Sequence, residues 1–519
     1  MDAQAVATDR IEPKRLAAFM AMCFGMFMAF LDIQIVSSSL SEIQAGLAAS
    51  SDEIPWVQTS YLIAEVIAIP LSGFLARALG TRTLFAFSAA GFTFASFMCG
   101  ISSSMGSMIV WRAVQGFIGG GMVPTVFAAI YTMFPKSRQA MIVPVVGLIA
   151  TLAPTIGPTI GGYLTEAMSW HWLFFINIVP GILVTIAALA LIDFDRPDYS
   201  LLDHFDWWGL ITMGGFLGAL EYVLEEGPRH DWFEEEAVLY AAIVSVVSAV
   251  AFFWRAFTAK TPIVDLRAFS DRNFAVGSMF SFVLGIGLYG LTYLYPLYLA
   301  QVRGYNALMI GETLFVSGLV MFLSAPIVGR LSAKYDPRFL LIGGFLLFAL
   351  GTWQMHFLTK DWDFWELFWP QVFRGLGLMA AIVPVTNVAL GTLPPERIKN
   401  ASGLFNLMRN LGGALGLAVL TTMLNDRMDL HLTRLHESVN WARGPATEML
   451  ANLTARFHDF GSNAQPMALK QMFLMARQQA TVMSFADVFL MLTVLFVALA
   501  ALGIVMKRPA AVAAGGDAH

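Results

Sequence analysis

Charge is scarce in this chain, and it interrupts long apolar runs at only a few places. Asp32 falls late in the run 16–37, Glu65 near the middle of 56–76, and Arg112 early in 107–131. An ionised side chain near the centre of a bilayer costs at least about 2.5–3.5 kcal/mol, so each needs a reason to be there. If the first run crosses outward and the fourth inward, Asp32 and Arg112 lie at similar depth. A neighbouring guanidinium lowers a carboxyl pKa and desolvation raises it. A carboxylate that alternates between those surroundings suits a proton carrier; the same two residues equally suit a static ion pair tying two helices. Glu65 reads as a site for a cationic substrate or a proton, or as a protonated packing residue. Gln58, Tyr61 and Gln115 can supply hydrogen bonds around it.

Other polar residues fall at shallower or more ambiguous positions. Glu312, early in 307–329 and counted among the substrate-cavity candidates, and Asp487, early in 483–506, reach toward the expected outer interface. Arg374 and Arg409 read as closing ion pairs or capping helix ends. Glu221 belongs to an inserted helix pair, apart from substrate. Tyr289, Tyr293 and Tyr295 cluster in 273–298, and Trp353, Met355 and Phe357 in 338–357. Aromatic and Met surfaces suit a cavity for varied apolar ligands, and equally suit lipid or helix packing. No P-loop, HExxH or GxSxG pattern is present, so the chain does not read as an enzyme. No cofactor is expected, and an ion gradient is the expected energy source.

The elements that must position these residues follow from composition. The 519 residues are 57% hydrophobic and 13% charged, with mean hydropathy +0.67; soluble domains carry about 25% charged residues. The net charge of −5 suggests no nucleic-acid partner. The only two cysteines, Cys23 and Cys99, exclude a disulfide framework and a CxxC metal site. Apolar runs of spanning length fall at 16–37, 56–76, 83–103, 107–131, 140–164, 171–192, 207–225, 237–257, 273–298, 307–329, 338–357, 366–393, 401–423 and 483–506, about 14 transmembrane helices. The fold class is an all-α polytopic membrane protein of two six-helix halves plus an inserted helix pair.

Cations assign the sides. Arg77 and Arg82, Lys136 and Arg138, Lys260 and Arg267, Lys334 and Arg338, Arg397 and Lys399, and Lys507 and Arg508 all fall on inner loops if the N-terminus is inside. The loop 193–206 is acidic where cations are expected. The expected organisation is a cytoplasmic N-terminus 1–15, a first half 16–192, a loop and inserted pair 193–258, a second half 259–506 and a cytoplasmic tail 507–519. The polar stretch 425–480 is expected outside, as one or two amphipathic helices lying on the surface.

Repetition supports the two halves. GFLARALGTR, Gly73 to Arg82, ends predicted helix 2, and GRLSAKYDPR, Gly329 to Arg338, ends predicted helix 10. WRAVQGFIGGG around Arg112 has a counterpart in FRGLGLMAA around Arg374. A further pattern stands in predicted helix 5: GLIATLAPTIGPTIGG, Gly147 to Gly162, places Pro154, Gly157, Pro158, Gly161 and Gly162 inside a membrane-length run. Pro removes a backbone donor and Gly permits close backbone approach.

Together these motifs resemble the fourteen-helix drug:proton antiporters of the major facilitator superfamily, of the EmrB/QacA type, over nearly the whole chain. Leu31 to Val36 is similar to that family's LDxTIVNVALP; Gln34, Ser37, Ser39 and Ser41 depart from it, so the usual substrate preference does not carry over. Gly73, Arg77, Gly80 and Arg82 are similar to the inner-loop gating motif, with Arg77 at the usual Asp position. Arg112, Gln115 and Gly116 resemble the RxxQGxGGG motif, which implies a proton-coupling role for Arg112. Gly157, Pro158, Gly161 and Gly162 resemble the antiporter motif. WHWLFFINIVPG, Trp170 to Gly181, is similar to a further signature of this branch. The resemblance implies multidrug efflux: export of hydrophobic or amphipathic toxic compounds in exchange for protons, from the inner membrane. It adds a periplasmic adaptor and an outer-membrane channel to the expected partners, beside small lipophilic substrates, protons and the lipid bilayer. Rival expectations are an exporter of one metabolite, such as a siderophore or fatty acid, and a non-transporting membrane receptor or scaffold.

Overall fold

Proline at first turns and Asp or Asn caps start many of the helices. Pro13, Pro337 and Pro395 occupy first turns, where a missing N–H costs nothing. Asp206 accepts from the Gly209 amide at 3.0 Å, Asp271 from Phe274 at 2.8 Å and Asn306 from Met309 at 3.0 Å. Asp363 and Glu366 form a reciprocal capping box. The computed structural model describes residues 12–50, 53–259, 261–439 and 442–505. Of the expected cytoplasmic ends, 1–11 and 506–519 lie outside the described residues, as do Lys260, Lys507 and Arg508 from the cation count.

The first half comprises α1 (Pro13–Ser38), α2 (Trp56–Ala78), α3 (Thr81–Gly100), α4 (Met105–Met133, interrupted at Gly120 and Gly121), α5 (Lys136–Ala167) and α6 (Trp172–Leu191). The inserted pair is α7 (Trp207–Glu226) and α8 (Glu236–Thr258). The second half is α9 (Arg272–Tyr298, continued by a π turn), α10 (Ala307–Lys334), α11 (Pro337–Met355), α12 (Phe364–Leu390), α13 (Pro395–Ser438) and α14 (Ala464–Val505). Among the described residues, twelve helices are long and apolar enough to cross a membrane. The remaining two, α5 and α7, are 32 and 20 residues long and pack in the same bundle.

The packing repeats between halves. In the first, α1 packs on α5 and α6, α2 on α4, and α3 on α4 and α6; in the second, α9 packs on α13 and α14, α10 on α12, and α11 on α12 and α14. Contacts between halves obey the same two-fold relation: α2 with α13 and α10 with α5, α4 with α13 and α12 with α5. This is an all-α membrane fold of two equivalent six-helix bundles. The inserted pair is asymmetric. Helix α7 packs against α2 and α13, whereas α8 is mostly exposed and α4 mostly buried. An apolar helix exposed on nearly all sides requires lipid around it.

The halves are closed together at one end, the base, where α1 begins. Among the described residues, the direct hydrogen bonds between halves lie there or toward it. The Tyr131 hydroxyl donates to the Thr386 carbonyl at 3.1 Å, Ser402 Oγ to the Pro124 carbonyl at 2.6 Å, and Lys399 Nζ to the Ala76 carbonyl at 3.0 Å. The acidic loop 193–206 has a partner here. Asp195 pairs with Lys399 and accepts from the Thr81 amide and hydroxyl at 2.9 and 2.6 Å. Its acid offsets base cations, which explains an acidic loop at a cationic end.

The stretch 425–480 differs from expectation. Instead of ending near 423, α13 runs unbroken to Ser438, and α14 begins at Ala464 rather than near 483. Helices of 44 and 42 residues reach roughly 65 Å, about twice a bilayer core. The two therefore continue past the span as a helical hairpin, with a short helix Gly444–Arg456 packed on α14. The apolar periodicity read as a membrane-facing stripe is used internally: Leu450, Ala468 and Met472 form a cluster flanked by Leu453 and Phe457. His431 and Arg427 contact Asp487 at 2.9 and 3.6 Å, joining α13 to α14.

Candidate functional site: a buried carboxylate held by four helices

Asp32 and Arg112 meet. Arg112 Nη1 donates to Asp32 Oδ2 at 2.6 Å, and both side chains are fully buried. The carboxylate is hydrogen-bonded on both oxygens: Oδ1 accepts from Gln115 Nε2 at 3.1 Å and from Asn177 Nδ2 at 2.7 Å. Arg112 is fixed in turn. Its Nε donates to the Val57 carbonyl at 3.0 Å, its Nη1 also donates to Gln115 Oε1 at 2.8 Å, and its Cζ sits 4.4 Å from the Tyr61 ring centroid. Thus α1 supplies the acid, α4 the cation and an amide, α6 a second amide, and α2 an aromatic wall and a carbonyl. Gly116 permits this: a Cβ there would run into the Tyr61 carbonyl. Arg112 Nη2 and the Tyr61 hydroxyl are buried without hydrogen-bond partners.

Asn177 is the member that sequence reasoning missed. It lies in the quoted stretch WHWLFFINIVPG, and it also donates to Ser96 Oγ at 3.1 Å. A lone Asn in an apolar run was the only available signal.

The equivalent place in the second half holds Arg374 of α12. Its Nη2 donates to Thr292 Oγ1 of α9 at 3.0 Å, its Nη1 to Gln371 Oε1 at 3.4 Å, and its Cζ lies 5.3 Å from the Tyr295 ring. Among the described residues no carboxylate pairs with it.

Residues 22–417 match the Major Facilitator Superfamily sequence model. The chain belongs to that superfamily. It is 44% identical over 492 residues to the colistin resistance protein EmrB of Acinetobacter baumannii, covering 95% of this chain and 96% of that one. It is 30% identical over 501 residues to the multidrug export protein EmrB of Escherichia coli, covering 96% and 97%. It is 31% identical over 502 residues to the fatty acid resistance protein FarB of Neisseria gonorrhoeae, with the same coverage. Among solved structures, the proton:xylose symporter XylE superposes with TM-score 0.58 at 12% identity, over 93% of this chain and 95% of that one. The human organic anion transporter MFSD10 gives TM-score 0.58 at 14% identity, over 93% and 100%. Both share the fold. The chain is thus an EmrB-type member of the superfamily, a multi-pass membrane protein and a transporter by family rather than an enzyme.

Within this facilitator fold the other expected residues separate. Glu65 is buried on α2, one turn from Tyr61, and among the described residues it makes no ion pair. Gln58 is half-buried with Oε1 unpartnered. The Tyr289 hydroxyl donates to Asn410 Oδ1 at 3.0 Å, and Tyr289 lies within electrostatic reach of Glu65, Arg409 and Glu221. Glu221 is therefore buried beside this group, contrary to its expected isolation. Tyr293 is 38% exposed, while Tyr295 is buried against Phe489 inside the second half. Glu312 is exposed and joins neither cluster.

The glycine-rich stretch of α5 stays helical throughout. A Cβ at Gly157 would lie 2.5 Å from Gln34 Cβ of α1, so the glycine sets a close helix approach. Gly161 is buried, Gly162 and Pro158 are half-buried, and the Pro154 side chain lies outside the described residues. Near the end of α2, Gly73 abuts Asn400 of α13, with a Cβ there 2.9 Å from its Cα. Gly80 has φ +78°, a conformation that favours glycine. Arg77 is half-buried over Phe74 and Arg82 is exposed.

Proposed function

We propose that this chain is a proton-coupled antiporter that exports hydrophobic or amphipathic toxic compounds by alternating access. The observation that carries the reading is the Asp32–Arg112 pair, fully buried at membrane depth with every carboxylate oxygen hydrogen-bonded. A scaffold has no need of so costly a group. Asp32 carries the proton. Ionised, it holds Arg112, Gln115 and Asn177 together and so fixes α1, α4 and α6. Protonated, it no longer matches a guanidinium, and Arg112 is released toward Tyr61 and Glu65 on α2. Arg112 is the coupling group, and Glu65 is a second acid for a proton or a cationic substrate part.

The substrate site lies between the halves, near Gln58, Tyr61, Gln115, Tyr289 and Tyr293. Gly73, Arg77, Gly80 and Arg82 form the base gate against α13, and Gly157, Pro158, Gly161 and Gly162 let α5 slide on α1. The base faces the cytoplasm, both termini lie there, and the present arrangement is the base-closed state. In the EmrB pattern the protein sits in an inner membrane and works with a periplasmic adaptor and an outer-membrane channel. The projecting hairpin supports that reading, since it lies on the side where an adaptor would dock.

The test is transport by the full chain in phosphatidylcholine vesicles loaded with ethidium, with a pH gradient imposed and then collapsed by an ionophore. Ethidium movement that follows the gradient is expected. Movement that ignores the gradient would overturn proton coupling.

A further inference from the structure

Between the halves lies a guanidinium that no carboxylate neutralises among the described residues. Arg409 of α13 is 6% exposed. Its Nε and Nη2 are buried without a hydrogen-bond partner, and among the described residues no carboxylate pairs with it. What touches it is aromatic: its Cζ lies 5.0 Å from the Phe127 ring of α4 and 5.1 Å from the Phe405 ring of its own helix. Among the described residues, the other two buried arginines are hydrogen-bonded, Arg112 to Asp32 and Arg374 to Thr292 and Gln371.

A buried cation with idle donors is costly, and ring faces recover only part of that cost. Retaining it has a direct explanation if a ligand supplies the anion. A guanidinium presents several donors in a fixed fork that matches a carboxylate or sulfonate, and the flanking phenyl rings suit an apolar tail. One ring comes from each half, so an anion held here would touch both moving parts. Tyr289, hydrogen-bonded to the adjacent Asn410, lies within electrostatic reach of Arg409, Glu65 and Glu221.

We propose that Arg409 is the anion-binding group of a subsite between the halves, and that it takes the acidic headgroup of an amphipathic organic anion. The inference rests on the exporter reading for its location in a transport path, but it is tested by binding.

The experiment uses the full chain in phosphatidylcholine nanodiscs. Equilibrium binding of radiolabelled dodecyl sulfonate is compared with that of the neutral dodecyl methyl sulfone. Wild type is expected to prefer the anion by about tenfold or more, the scale of a charged hydrogen-bonded contact. Arg409→Gln should lose that preference while still binding the neutral probe, and Arg409→Lys should keep part of it. Equal affinity of wild type for both probes would overturn the proposal, even if the Gln variant failed to fold. An unchanged preference in a folded Arg409→Gln would do the same. Repeating the measurement with phosphatidylglycerol nanodiscs separates two sources of the anion: Arg409-dependent displacement by this lipid identifies a lipid headgroup as occupant, and no displacement identifies a free amphipathic acid. Ethidium transport by the same variants in phosphatidylcholine vesicles reports the exporter reading separately, so loss of one does not imply loss of the other.

Discussion

The two halves carry the same arginine in opposite surroundings. In the first, Arg112 of α4 faces Asp32 of α1 and stacks on Tyr61; in the second, Arg374 of α12 faces Thr292 of α9 and stacks near Tyr295. Each arginine has a glutamine one turn away on its own helix, Gln115 and Gln371, within hydrogen-bond reach. A partner from the first helix of each half is shared, and its titratable character is not. A threonine hydroxyl does not ionise near neutral pH, so on the proposed reading the second half anchors its arginine while the first half switches. On the proposed reading, the fold alone does not create a coupling site; one carboxylate does.

This difference can be broken from its stronger side first. Asp32→Asn removes the proposed proton carrier, and gradient-driven ethidium transport is expected to fall to background, a loss of roughly a hundredfold or more, as when a group needed by every cycle is removed. Transport that keeps a tenth of the wild-type rate would assign the proton elsewhere, with Glu65 the next residue to change.

Next comes a contrast between the two arginines. Arg112→Gln strands a buried carboxylate and should cost about 3–5 kcal/mol of stability; thermal unfolding in detergent measures this. The double variant Asp32→Asn with Arg112→Gln should regain most of that loss without regaining transport. Arg374→Gln leaves only neutral partners behind and should cost about 1–3 kcal/mol, the range for a lost charged hydrogen bond. Equal costs for the two arginines would remove the distinction between the halves.

The smallest effect lies outside the membrane, at the start of α12. There the Tyr305 hydroxyl and the Phe364 amide, donating to Asp363, hold its carboxyl below the ordinary carboxylate range. Because the folded value is the lower one, the stabilisation is present above the unfolded value and lost as pH falls through the folded one. Asp363→Ala is expected to lower stability by about 1 kcal/mol, as for loss of a helix cap. The deficit should shrink as the pH is lowered below about 4, the usual range of a free Asp. An effect that does not change with acid would mean that Asp363 acts through shape alone.

Much of this was legible in the sequence because membrane burial makes charge conspicuous. Asp32, Arg112 and Glu65 stood out in apolar runs, and opposite crossing directions put the first two at one depth. The repeat around Arg112 and Arg374 was visible, but its meaning was not: Arg374 read as a capping or pairing residue because Thr292, its actual partner, is an unremarkable threonine. Asn177 escaped for the same reason, since a neutral amide is a weak signal. The lengths of α13 and α14 were hidden by polar periodicity, which does not say whether an apolar stripe meets lipid or another helix. Glu221 looked remote in sequence, and only the packing of α7 on α2 and α13 brings it near Tyr289.

The central claim is that Asp32 gives up a proton when substrate binds. Purified protein in weakly buffered detergent, mixed with ethidium near neutral pH, allows released protons to be counted with a pH-sensitive dye. Wild type is expected to release protons in proportion to ethidium bound, and Asp32→Asn to bind ethidium and release none. Equal release from both proteins would contradict the claim.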